Sequence, residues 1–173
     1  MIKRYSNRYM LIPFENMPDH ARVWVYQTDR KLLDTEVKSA QLALNEQISQ
    51  WAAHGAPLAG SSEILHNRFV IIAADELQNA TSGCSIDAST NWLKSIGNQL
   101  GVNFFDRSIA FMAGNEIQTA QLLELKKAVS DSIIVPETII FNNLVGNIGD
   151  FRQNWKQKAG GSWLKKYFTT QLA

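Results

Sequence analysis

The stretch that decides the fold is Ser62-Glu63-Ile64-Leu65, His66-Asn67-Arg68, Phe69-Val70-Ile71-Ile72-Ala73-Ala74 and, after a polar loop, Ser82-Gly83-Cys84-Ser85. The two apolar runs contain aromatic and β-branched residues, which favour strands, and the polar triplet between them is typical of a hairpin connection. The serines and glycine after the polar loop suit the start of a helix. This stretch therefore predicts a hairpin of two strands, with one longer, bent strand as the alternative, followed by a helix.

A strand and a helix are predicted before this stretch. Arg22 to Gln27 is rich in β-branched and aromatic residues, the composition of a half-buried strand. Asp34 or Thr35 suits the N-terminus of a helix, whose apolar residues recur every three or four positions until His54-Gly55.

A second helix and a fourth strand are predicted after it. Apolar residues again recur at helical spacing from Ile86 to Leu100, and Gly101 is suited to end that helix. Ser108 to Met112 has the composition of a strand. The order strand, helix, strand, strand, helix, strand is that of the ferredoxin-like split arrangement. We therefore predict an α+β fold with a ferredoxin-like βαββαβ core.

The pattern also suggests how the chain is divided. Residues 1–20 contain two prolines and little periodicity, which predicts an irregular N-terminal arm. We assign residues 21–113 to the ferredoxin-like core and residues 114–173 to a C-terminal α/β extension packed on the same domain. The expected elements of the extension are a strand at Glu116 to Gln118, a helix around Leu122 to Val129, a strand at Thr138 to Asn142, and a helix containing Ile148, Phe151 and Trp155.

Composition limits the class of protein. The 173 residues are 45% hydrophobic and 19% charged, a balance that favours a folded domain over disorder. A single cysteine excludes an internal disulfide, and no apolar run approaches the length of a membrane span. The first residues lack the apolar run of a secretory signal, so we expect a soluble, cytoplasmic protein.

The cysteine supports a catalytic hypothesis. A helix N-terminus lowers the pKa of a thiol and favours anions, so Cys84 is a candidate nucleophile with His54 as its base. In the predicted topology His66 lies at the opposite end of the sheet, roughly 17–20 Å away, too far to serve as that base. The same segment could bind an anion instead through Ser82, Gly83 and Ser85. The alternative is a small buried cysteine beside an ordinary helix cap.

Polar residues predicted at the other end of the sheet form a second candidate site. They could bind a phosphate or carboxylate, because arginine presents a planar fork to such groups. Solvation of a hairpin tip and mutual ion pairs explain the same residues without a ligand. The residues concerned are Asp29, Arg30, His66, Arg68, Asp106 and Arg107.

The C-terminal region interleaves aromatic and basic residues. This composition fits a helix docked on the core, a surface for a partner protein, or less plausibly a nucleic-acid site. The aromatic residues considered for a partner are Trp155, Trp163, Tyr167 and Phe168. The three histidines are far apart and no metal-binding motif occurs, so we expect neither a metal nor another cofactor.

Four segments carry a resemblance to a known family: Met17 to Gln27, Glu63 to Phe69, Ser82 to Asp87, and Phe141 to Leu144. The chain resembles a group of small uncharacterised proteins from Bacteroidetes-type bacteria that are often labelled "ABC transporter ATPase". The label implies ATP hydrolysis. However, the Gly-x-x-x-x-Gly-Lys-Ser/Thr loop that cradles phosphates is absent, so no ATP-binding residue carries over.

The leading functional hypothesis is a binding protein without ATPase activity, whose ligand is a small anion or a partner protein. A small enzyme that uses Cys84 as nucleophile is the alternative. Nucleic-acid binding through the basic, aromatic C-terminus is a minor alternative.

Overall fold

The computed structural model describes residues 11–53, 55–77 and 83–169, which form an α+β fold. The chain divides into two compact units. The first contains Met1–Asp106 and Leu144–Phe151, and the second contains Arg107–Asn143 and Arg152–Ala173. Among the described residues, no helix is both long and apolar enough to cross a lipid bilayer.

The first unit is a three-stranded antiparallel sheet with two long helices. Its strands lie in the order β1-β5-β4, and a separate pair, β2-β3, forms a short hairpin. The element bounds are β1 (Arg22–Gln27), α1 (Asp34–Ser49), β2 (Ala52–Ala53), β3 (Ala56–Pro57), β4 (Ala59–Leu65), β5 (Phe69–Asp75) and α2 (Gly83–Leu100).

The central strand β5 organises this unit. Its residues from Phe69 to Ala74 all have 0% exposed surface, so both faces of the strand are covered. This burial explains why the strand is a continuous apolar run rather than an alternating one. Helix α1 buries Ala40, Leu44 and Ile48, which recur every four residues and join one apolar core with Val70 and other residues of the sheet.

The β4–β5 hairpin closes with a tight turn. The N–H of Arg68 donates to the carbonyl of Leu65 at 3.0 Å, and both His66 and Asn67 have positive φ. Positive φ at both central positions is the pattern of a type I′ turn, whose twist matches that of a hairpin. The Asn67 side chain donates to the Leu32 carbonyl at 3.1 Å and to an Asp34 carboxylate oxygen at 2.6 Å, which ties the turn to the start of α1.

Helix α2 ends in a Schellman motif. Gly101 has φ +63°, and the Val102 N–H donates to the Gly97 carbonyl at 2.9 Å. The chain then folds back so closely that a Cβ on Gly97 would lie 2.5 Å from the Val102 carbonyl oxygen and 3.3 Å from Phe104. Gly97 is therefore required by close packing.

The second unit is a four-stranded antiparallel sheet in the order β7-β6-β8-β9. Its core includes Phe111, Leu125, Ile140 and Leu164. The element bounds are β6 (Ile109–Ala113), β7 (Glu116–Ala120), α3 (Leu125–Ser130), β8 (Ile139–Phe141), α4 (Ile148–Asn154), β9 (Lys156–Lys158) and α5 (Lys165–Thr169), with α4 beginning in the first unit.

The fourth strand of the predicted ferredoxin-like core requires a correction. It forms, as β6, but pairs with β7 and β8 in the second unit rather than with β1. Ala113 pairs with Glu116 across the two residues Gly114 and Asn115, and Gly114 has φ +63°. A two-residue hairpin has a much shorter loop to close than a pairing with β1 would require. The described residues therefore form the βαββα part of the prediction, and not its four-stranded sheet.

Helix α1 is shorter than the sequence predicts. It ends at Ser49, and the Trp51 carbonyl accepts a hydrogen bond from the Leu58 N–H at 2.9 Å as the β2–β3 hairpin begins. Gly55, with φ +78°, lies in the turn of that hairpin. Strands β2, β3 and β9 were not predicted, because runs of two or three residues are too short to show a periodicity.

Gly97→Ala tests the close approach at the end of α2. Alanine normally stabilises a helix interior relative to glycine, but here the added methyl group meets a backbone carbonyl. We expect the free energy of unfolding to fall by about 1–3 kcal/mol, measured by urea denaturation. Gly83→Ala in the same helix, where an added Cβ meets nothing within 4 Å, is the control; an equal effect of the two substitutions would contradict this interpretation.

Candidate functional site

The polar residues predicted at the hairpin end of the first sheet do come together. The Thr28 N–H donates to the Arg68 carbonyl at 2.9 Å, and the Asp29 N–H donates to the Asn103 carbonyl at 3.0 Å. The Asp106 N–H donates to the Gln27 carbonyl at 3.0 Å. The exit of β1, the hairpin tip and the loop after α2 are thus joined by backbone hydrogen bonds. Arg107 belongs to the second unit.

The charged groups of this cluster bind one another and the backbone. Both terminal nitrogens of Arg30 donate to Glu36 at 2.8 Å, and one also donates to the Leu100 carbonyl at 3.0 Å. Arg68 donates to the Thr28 carbonyl at 3.1 Å. The carboxylate of Asp29 accepts the Asn103 N–H at 3.1 Å. These contacts favour a role in joining loops over a role as an anion pocket.

Two further members of the cluster fit the same interpretation. The Asp106 carboxylate accepts a hydrogen bond from the Gln27 side chain at 2.9 Å. His66 is exposed at the hairpin tip, and its ring lies edge-on to that of Phe69 with centroids 6.4 Å apart. Binding of an anion here stays a prediction.

The Arg30–Glu36 pair makes a pH-dependent contribution to stability. The hydrogen bonds from Arg30, then the one from the Leu33 N–H, lower the pKa of Glu36 from 4.5 to about 2. A carboxylate with a lowered pKa stabilises the fold above its unfolded-state pKa, and that contribution is lost as the pH falls toward the folded-state value.

Glu36→Gln should therefore lower the urea midpoint at pH 7 relative to the unsubstituted chain. The difference in urea midpoint between Glu36→Gln and the unsubstituted chain should become smaller as the pH is lowered from about 4.5 to about 2. Glu46→Gln, at an exposed position of the same helix, is the control. A difference for Glu36→Gln that does not change over this pH range would contradict the assignment.

The thiol hypothesis concerns residues that the sequence predicts at the end of the sheet opposite the hairpin. His54 and Ser82 lie outside the described residues, and Cys84 and Ser85 are described only as backbone of the first turn of α2, which begins at Gly83. The roles of Cys84 as nucleophile, His54 as base and the Ser82 to Ser85 segment as anion pocket stay predictions.

The aromatic residues of the C-terminal region have different environments. Trp155 is only 4% exposed, its ring centroid lies 5.0 Å from that of Phe141, and its indole N–H donates to Asn143 at 3.2 Å. Tyr167 and Phe168 are partly buried against the core of the second unit. Trp155 is thus a core residue, and its contact with a partner protein stays a prediction.

Trp163 is the most exposed of these four side chains. It is 43% exposed, and the Lys166 ammonium lies 5.4 Å from its ring centroid. Partner contact through Trp163, Tyr167 and Phe168 stays a prediction.

Replacing each tryptophan by alanine distinguishes the buried Trp155 from the exposed Trp163. Trp155→Ala should lower the free energy of unfolding by about 3–5 kcal/mol, because it leaves a cavity in the second unit. Trp163→Ala should lower the free energy of unfolding by less than about 1 kcal/mol, since the ring of Trp163 is half exposed. The measurement is urea denaturation followed by far-UV circular dichroism. Similar losses for the two variants would contradict the assignment of Trp155 to the core.

A groove along the outer edge of β4 was not predicted from the sequence. The strand edge is covered at its beginning, where the Ile12 N–H donates to the Gly60 carbonyl at 2.8 Å and Leu11 pairs with Gly60. Pro13, which has no N–H, ends this pairing, and residues 14–16 form a 3₁₀ turn. We call the space beyond this point the edge groove. Its volume is about 330 Å³, and its lining is residues 11–15, Gln41, Asn45 and residues 61–63.

Side chains of α1 complete one wall of the edge groove. The Gln41 amide nitrogen donates to Asn45 Oδ1 at 2.9 Å, to Ser62 Oγ at 2.9 Å and to the Ser62 carbonyl at 3.1 Å. The Ser62 hydroxyl lies 3.4 Å from Asn45 Oδ1. The Gln41 side chain thus donates to the Ser62 carbonyl in place of the backbone N–H that a further strand would supply. This network of side-chain hydrogen bonds holds the wall in place.

The partly buried carboxylate of Glu63 also lines the edge groove. Burial raises the pKa of Glu63, and the nearby charge of Glu15 raises it further. Among the described residues no basic side chain forms an ion pair with Glu63. A carboxylate whose charged form is disfavoured by its surroundings is a frequent feature of ligand sites.

The sequence contained one signal for this groove. Glu63 lies within an otherwise uncharged strand, between Ser61 and Ser62 on one side and Ile64 and Leu65 on the other. The covering segment at residues 11–15 is distant in sequence, however, so no local pattern could place it beside Glu63.

No family model, curated protein or solved structure matches the chain. Within residues 11–53, 55–77 and 83–169, no group of three or more His, Cys, Asp or Glu side chains is arranged to hold a metal ion.

Proposed function

We propose that the chain is a binding protein whose ligand is a small polar molecule held in the edge groove. The observation that carries the proposal is an open groove of about 330 Å³ whose lining combines the apolar residues 11–14 with polar side chains, among them the partly buried carboxylate of Glu63. This volume is at the lower end of the range for ligand sites in proteins. The resemblance to the family labelled "ABC transporter ATPase" adds no residue to this site.

The hydrogen bonds around the groove support a preformed site. Hydrogen bonds join the side chains of Gln41, Asn45 and Ser62. A ligand therefore does not bear the entropic cost of ordering this wall when it binds. The hairpin end supports ligand binding less well, because the guanidinium of Arg30 is already held by Glu36 and the Leu100 carbonyl. The geometry thus favours the edge groove over the anion pocket expected from the sequence. The edge groove does not require the complete ferredoxin-like sheet.

The proposal is tested by NMR titration of the ¹⁵N-labelled full chain. The probes are n-butylammonium, N-methylacetamide and acetate, which are cationic, neutral and anionic respectively. At least one probe should shift the backbone amides of Ile12, Asn45 and Glu63 in a saturable way.

Two variants show whether such shifts arise from the groove. Gln41→Trp should fill the groove and abolish the shifts. Leu42→Trp adds the same side chain at an exposed position of α1 and should leave them intact. The proposal is overturned if no probe shifts these amides, or if both variants respond like the unsubstituted chain.

A further inference from the structure

The charges that line the edge groove have one sign. Of the described residues in the lining, Glu15 and Glu63 are charged and none is basic. The neutral polar wall has used the N–H groups of Gln41 on Asn45 and Ser62. The described lining of the groove therefore carries only negative charge.

Within the described part of the chain, the carboxylate of Glu63 has no basic partner. Glu63 pairs with the apolar Ile71 on β5, and the residues of α1 that line the groove are the uncharged Gln41 and Asn45. The charged group that acts on it is Glu15, which has the same sign. A cation bound beside Glu63 would supply the opposite charge that these elements do not.

From this arrangement we infer that the edge groove binds a cation of the ammonium or guanidinium class, with Glu63 as the main acceptor and Glu15 as the second charge. The inference rests on the proposed function and specifies its ligand. Such a cation can be a free small amine or a lysine or arginine side chain of a peptide. The charge-assisted hydrogen bond it forms with Glu63 is the same in both cases.

Binding of this kind is linked to the protonation of Glu63. Only the ionised carboxylate attracts the cation, and burial and Glu15 raise its pKa. Affinity should therefore fall as the pH is lowered through this raised pKa. Conversely, a bound cation should lower the pKa of Glu63, because it favours the ionised form.

The test is an NMR titration of the full chain with n-butylammonium and propylguanidinium, using N-methylacetamide and acetate as the neutral and anionic comparisons. The two cations should bind and the other probes should not. Glu63→Gln should weaken cation binding about tenfold, the value of one hydrogen bond to a charged group. Glu46→Gln removes an exposed charge from α1 and should change affinity by less than about twofold.

Two further measurements exclude a purely structural effect of Glu63→Gln. The carboxyl ¹³C resonance of Glu63 should titrate at lower pH when n-butylammonium is present. Glu15→Gln, at an exposed position, should weaken binding by about twofold to threefold. Comparison of n-butylammonium with N-acetyl-lysine methylamide then shows whether a free amine or a peptide side chain is preferred.

The possible failures are distinguishable. If N-methylacetamide or acetate shifts the groove amides and the cations do not, the cation inference is overturned and the proposed function stands. If none of the probes shifts them, both are overturned. Cation binding that is unchanged in Glu63→Gln would also overturn the inference.

Discussion

The complete burial of β5 is the constraint on which the first unit depends. From Phe69 to Ala74 the strand has no exposed surface, so its backbone must be paired on both edges and its side chains covered on both faces. Strands β1 and β4 satisfy the two edges. This makes β4 an outer strand, and the edge groove exists because residues 11–12 cover only the first part of its free edge.

Local features of the sequence were sufficient to predict most individual elements. The strand at Arg22–Gln27, the β4–β5 hairpin and the end of α2 at Gly101 follow from composition, a short polar connection and a C-terminal glycine. Each depends on residues close together in the chain. The same reasoning predicted that Asp29, Arg68 and Asp106 lie near one end of the sheet, and backbone hydrogen bonds connect these three segments to neighbouring loops and strands there.

Pairings between distant segments could not be predicted in this way. The strand β6 has the composition expected of a fourth strand in the first sheet, yet the short turn at Gly114 and Asn115 pairs it with β7. The contact of Ile12 with Gly60 likewise leaves no periodic signal. Sequence patterns indicate whether a strand is buried, but not which segments lie beside it. The edge groove was therefore not predicted, although Glu63 is the one charged residue of its strand.

The outermost strand of the second sheet has a consequence for association between molecules. Strand β9 has the sequence Lys156-Gln157-Lys158, and both lysines are exposed. An open strand edge is a template for pairing with another chain, and charged side chains on it make such pairing unfavourable because two copies would bring like charges together. The two lysines thus disfavour edge-to-edge pairing of β9 between two copies of the chain at high protein concentration.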